Sequence, residues 1–229
     1  MGYINRNKST EAACRAVPIF CGATLLFFAL ILLTPYTREI FRILSGSHPF
    51  LMGFLKFFFL ATVGELLAAR LGAGVWVLPK KLPRRAVIWG VIGMALAFML
   101  KVYSGGVAAV LSAGLLPGGS LLFVKALLTS AVMNATFGPV MMGFHKMTDK
   151  YLELSAAGAA DKGIKAVARA VDWEGFISFV VLRTIPIFWI PAHTVTFMLP
   201  AEYQTMMAAA LSVALGIILG LRKKPGQEE

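Results

Sequence analysis

Glu65, Asn134, Arg183 and His193 have the most chemistry to offer in this chain, because each stands inside a long, predominantly apolar run. Polar and ionisable groups deep in such runs are costly, so they face protein or water and mark candidate solute or ion paths. At 1.5 Å per helical residue, Arg183 lies about 15 Å in from Trp173 and Glu65 about 9 Å in from Leu71, while Asn134 lies about 20 Å from both Leu121 and Met147. An arginine side chain spans the difference between the first two depths. The expectation is therefore a polar cluster of Glu65, Arg183 and Asn134, with Thr62 and Thr184, inside a helix bundle. The plain alternative is an ion pair that only fixes helix register.

Other chemistries find little footing. His145 and His193 fall near opposite membrane faces and His48 lies in a loop, so they make no common metal site, and no Cys or carboxylate cluster supplies one. Gly-x-Ser-x-Gly, Walker-type and His-Glu-x-x-His patterns are absent, and no nucleophile stands beside a base. The expectation is a protein without catalytic residues, metal or cofactor. Cys14 and Cys21, seven residues apart on one helix, are too far apart to bridge and read as small apolar side chains.

The elements that must position these residues follow from composition. The 229 residues are 58% hydrophobic and 14% charged, with a mean hydropathy of +0.77. Six runs reach or approach the length that crosses a hydrocarbon core of about 30 Å. They are 17–34, 50–71, 86–103, 121–147, 173–199 and 203–221. The predicted fold is an all-α integral membrane protein, a single bundle of about six transmembrane helices.

The first run follows Arg6, Lys8 and Arg15, as in a signal peptide, but it is too long and ends in the turn Leu33-Thr34-Pro35-Tyr36. An uncleaved signal anchor is expected. The net charge of +11 is lopsided: of 22 Lys and Arg, 16 fall on the side of the N-terminus and five (Arg38, Arg42, Lys56, Lys101, Lys125) on the other, with Arg183 inside. By the positive-inside rule both termini are cytoplasmic, and the basic surface meets anionic lipid rather than nucleic acid. Lys56, Lys101 and Lys125 are expected to snorkel outward from span ends. A bacterial inner membrane is the expected location.

The uncharged segment 104–120, bracketed by Gly105-Gly106 and Gly118-Gly119, is expected as an external loop or shallow re-entrant piece. Residues 150–171 read as a cytoplasmic amphipathic linker, with Ile164, Val167, Ala168 and Val171 at helical spacing beside Lys162, Lys165 and Arg169. Gly216 and Gly220 form a Gly-x-x-x-Gly face in the last span, suited to another helix of the chain or to a homo-oligomer. Pro186 and Pro191 within one apolar run predict a bent helix packed inside the bundle.

Two stretches carry a family likeness. Trp189-x-Pro191-Ala-His193-Thr-Val-Thr-Phe197-x-Leu-Pro200-x-x-Tyr203 resembles the signature before the last helix of the membrane proteins typified by Mpv-seventeen and the twenty-two-kilodalton peroxisomal membrane protein. Gly138-Pro139, followed by His145-Lys146 and Asp149, is similar to a helix end of that family, and Gly64-Glu65 to its Gly-Asp pair. Thr196 stands where the family has Asn, and the run 17–34 adds a helix to the family's usual four. The resemblance implies a distant bacterial relative and a channel or facilitator for small solutes or metabolites. A non-transporting scaffold or assembly protein, or a gradient-coupled transporter, are the other readings.

Overall fold

The computed structural model describes residues 8–118 and 121–222. Arg6, Gly119, Lys223 and Lys224 lie outside the described residues, as do the side chains of Lys8, Cys14 and Arg222. The described chain is all-helical and has six helices long and apolar enough to cross a membrane. We label the elements α1 (Lys8–Leu33), α2 (Pro35–Ser47), α3 (Pro49–Ala73), α4 (Leu82–Ser112), α5 (Leu122–Ala156), α6 (Ile164–Ala170), α7 (Trp173–Met198) and α8 (Ala201–Arg222).

Proline places several of these starts. Pro35, Pro49 and Pro83 sit in the first turns of α2, α3 and α4, where a missing N–H costs nothing because that donor has no intrahelical partner. Asp172 caps α7, its Oδ1 accepting from the Gly175 N–H at 2.8 Å. Lys81 holds a left-handed backbone, φ 59°, uncommon for a residue with a Cβ, and turns the chain into α4.

α3 is the hub, packed along its length on α4 and on α8. Glycine makes both approaches close. A Cβ on Gly53 would lie 2.6 Å from the Gly93 carbonyl oxygen of α4, and one on Gly216 would lie 2.5 Å from the Gly64 carbonyl oxygen of α3. Phe57, Leu60, Ala61, Ile92, Leu96, Ala209 and Val213 fill the core around these contacts. The Gly216–Gly220 face is thus packed on α3 of the same chain, the first of the two uses the sequence allows. A second core of Leu100, Ala126, Met133 and Phe197 joins α4, α5 and α7.

Two segments differ from expectation. Residues 104–112, expected in a loop or re-entrant piece, continue α4. Gly105 and Gly106 do not break it, because a helix in an apolar setting has no water competing for its backbone bonds. The linker is also shorter than expected, since α5 runs on to Ala156 and only α6 remains of the amphipathic piece, with Val167 buried and Lys165 and Arg169 exposed.

The proline-bearing stretch of α7 winds more widely than an α-helix. From Phe176 to Trp189 the backbone bonds reach the fifth residue instead of the fourth, and Ile190 N–H donates to the Ile185 carbonyl as the helix tightens again. Pro186 offers no N–H and its ring presses on the preceding turn, a clash the wider winding relieves. Pro191 then opens the ordinary helix Ile190–Met198. Pro200 makes the turn into α8, its carbonyl accepting from Tyr203 N–H, and Tyr203 stacks on Phe41 of α2 at 6.0 Å.

Candidate functional site

Glu65 lies in the last third of α3, and the ion that meets it comes from the first turn of α4. Arg85 Nη1 donates to Glu65 Oε1 and to Asp149 Oδ1, both at 2.8 Å, and Arg85 Nε donates to the Lys80 carbonyl at 3.3 Å. The left-handed Lys81 lies between that carbonyl and Arg85 and swings it under the guanidinium. Side-chain exposure is 7% for Arg85 and 10% for Glu65. Trp89 Nε1 donates to Glu65 Oε2 at 3.3 Å, and the Trp89 ring lies 4.1 Å from that of His145. His145 Nε2 in turn lies 3.5 Å from Asp149 Oδ2. Three helices thus converge on one charged centre, at the end of the bundle that carries Lys80, Lys81 and Arg84.

Arg183 takes no part. It is exposed on the outer side of α7 and has no side-chain partner among the described residues, so the expected Glu65–Arg183 pair is corrected to Glu65–Arg85. Thr62 donates to the Phe58 carbonyl and Thr184 to the Phe179 carbonyl, each satisfied within its own helix. Neither joins the cluster.

Asn134 and His193 do meet, in a second site. His193 Nδ1 is 3.1 Å from Asn134 Oδ1, and Asn134 Nδ2 donates to the Ser130 carbonyl at 2.9 Å. Ser130 and Thr194 both donate to the Ile190 carbonyl at 2.7 Å. The His193 ring stacks on Trp189 at 5.2 Å. Each site therefore pairs a tryptophan with a histidine, and each holds one buried nitrogen without a partner among the described residues, His145 Nδ1 in the first and Trp189 Nε1 in the second. Such atoms call for water or a polar solute. Of the motif positions, Gly138 and Pro139 lie within α5 between the two sites, and Phe197 belongs to the core behind the second.

No family model, curated protein or solved structure matches the chain. Its chemistry is therefore read from these side chains. At the first site two carboxylates face one guanidinium, a net negative centre when His145 is neutral, and Arg85 fills the place between the carboxylates that a metal ion would need. The second site is uncharged when His193 is neutral and offers both donors and acceptors. Asn134→Leu is expected to lower stability by about 1–3 kcal/mol, the cost of a buried polar group left unpaired at His193. Adding His193→Leu should recover part of that loss, which thermal unfolding of the purified single and double variants would reveal.

Lys56 is a third buried polar group, and it corrects another expectation. Rather than snorkelling outward it is 2% exposed, donating to Ser45 Oγ at 2.8 Å with its ammonium 4.4 Å from the Phe41 ring centre. Helix α2 covers it. Arg42 on the outer face of α2 binds Glu39 at 2.6 Å and reaches Glu202 of α8 at 3.4 Å, which ties the cover down. The hydrogen bond from Arg42 holds the Glu39 carboxyl below the usual carboxylate range.

Proposed function

We propose that the chain is a channel or facilitator for small solutes in a bacterial inner membrane, with both termini cytoplasmic. Its path follows α5 between the two tryptophan–histidine sites. The observation that carries this reading is the register of α5. Asn134 and His145 are eleven residues apart, which returns to nearly the same helix face and separates them by about 16 Å. Met141 lies between them on that face, with Phe137 beside it, and both pack on the main core. Polar sites at two depths, parted by an apolar plug, describe a path closed by dewetting.

Arg85, bonded to both carboxylates, latches the cytoplasmic end, and the excess of carboxylate there favours neutral and cationic solutes over anions. The likeness of Trp189–Tyr203 to the Mpv-seventeen family supports the same reading, as do the unpartnered nitrogens. Swelling of proteoliposomes in small neutral and cationic solutes tests it. Met141→Ala is expected to raise uptake several-fold, and Glu65→Gln with Asp149→Asn to reduce the preference for cations. If neither wild type nor Met141→Ala exceeds empty liposomes, and a cysteine at 141 resists water-soluble thiol reagents, the bundle is dry and the scaffold reading replaces this one.

A further inference from the structure

A cavity of about 780 Å³ lies at the basic end, outside the polar path, between the start of α4, the last turns of α5, and α6. Its walls are Val87 and Ile88 on one side, Phe144, Met147 and Leu152 on another, and Val167 of α6 above. The volume falls within the roughly 300–1,000 Å³ range of ligand clefts. Of the two lining hydroxyls, that of Thr148 is spent on the His145 carbonyl at 2.8 Å, and the other belongs to Tyr151, which is 44% exposed. The body of any occupant is therefore apolar.

Charge enters only at the rim. Arg84, from the start of α4, and Lys162, just before α6, both line the cavity, both are exposed, and neither has an ion-pair partner among the described residues. Asp161, next to Lys162, has its Oδ1 engaged by the Gly163 N–H at 2.8 Å. Several wall residues are open to the side, Phe144 at 50% and Ile164 at 76% exposure, so the cavity opens away from the bundle interior. Arg84 stands in the first turn of α4, at the level where a bilayer's headgroups would lie if α4 crosses it.

We propose that this cavity binds one acyl chain of an anionic phospholipid, with the phosphate held between Arg84 and Lys162 and α6 closing over the chain. A cleft with apolar walls and two free cations at its mouth matches a ligand with an apolar body and one anionic end. A bilayer supplies that ligand from the side on which the cavity opens. Helix α6, with Val167 inward and Lys165 and Arg169 outward, is suited to lie in the same interfacial layer. The site is separate from the proposed solute path, so its failure would leave that reading standing.

Native mass spectrometry of the delipidated full chain tests this, with phosphatidylglycerol, phosphatidylcholine or oleate added at equal concentration. Wild type is expected to retain phosphatidylglycerol at least about fivefold over phosphatidylcholine, since each cation near a membrane surface contributes about that factor. Arg84→Gln with Lys162→Gln should bring the ratio near one while leaving thermal unfolding unchanged, and Val87→Trp, which fills the chain cleft, should weaken retention of both lipids. Lys101→Gln, an exposed cation on the opposite part of α4, should change nothing. Equal retention of the two lipids by wild type, or a preference that survives the double variant, would overturn the proposal. So would oleate held in place of phosphatidylglycerol, since the occupant would then be a free fatty acid.

Discussion

Arg85→Gln is expected to be the most damaging single change at the basic end, at about 3–5 kcal/mol, the usual cost of breaking a buried pair by removing one partner. The reason lies in the sharing. One nitrogen, Nη1, serves both Glu65 and Asp149 at 2.8 Å, so its loss leaves the nearly buried Glu65 carboxylate facing the partly exposed Asp149 with only Trp89 and His145 for company. Arg85→Lys should recover part of the stability, because an ammonium restores the charge without the fork that also reaches the Lys80 carbonyl. Arg85→Gln combined with Glu65→Gln and Asp149→Asn should recover more, since no unpaired charge remains. Arg183→Gln, which breaks no bond among the described residues, should unfold like wild type. Thermal unfolding of detergent-purified protein separates these outcomes, and an Arg85→Gln midpoint equal to that of Arg183→Gln would mean that the cluster is not formed.

That contrast also marks where the sequence stops being readable. Depth along a helix follows from counting residues, and by depth alone Glu65 and Arg183 were well matched. Azimuth does not follow, and in α7 the wider winding from Phe176 to Trp189 shifts every residue away from the face an α-helix would give it. Arg183 consequently points out. Arg85 was hidden for the opposite reason. It stands among Lys80, Lys81 and Arg84 at the start of a span, where a cation ordinarily meets headgroups, and only the left-handed turn at Lys81 folds it inward. The one local signal was His145 and Asp149 at i, i+4, a pair whose side chains share a helix face.

The six long helices were legible because sustained apolar length needs no tertiary information. Asn134 and His193 are legible as polar groups in apolar spans, yet their contact depends on the crossing of α5 and α7, which no spacing within either helix encodes. Lys56 departs from the expected snorkelling because its partners, Ser45 and Phe41, lie on α2, a short helix between two of the apolar runs. In each case the missing information was which helix packs where. That in turn rests largely on small residues along α3.

Gly216→Val tests that packing, and it is expected to cost at least the upper part of the roughly 1–3 kcal/mol typical of overpacking. The first added carbon would lie 2.5 Å from the Gly64 carbonyl oxygen, a backbone atom that cannot rotate aside. Relief requires α8 to move off α3, but Ala208 and Ala209 are fully buried farther along the same helix, and Gly64 is itself held 2.8 Å, Cβ position to oxygen, from the Ser212 carbonyl. Moving one contact therefore loosens the others. Gly105→Ala provides the control: no atom lies within 4 Å of its Cβ position, so it should be neutral or stabilising by up to about 1 kcal/mol through helix propensity. The damage at Gly216 should also appear as exposure of α3, with a cysteine at Ala61, 1% exposed in the native packing, becoming reactive to a thiol reagent. Equal melting of Gly216→Val and Gly105→Ala, with Ala61→Cys protected in both backgrounds, would mean that α3 and α8 do not meet backbone to backbone.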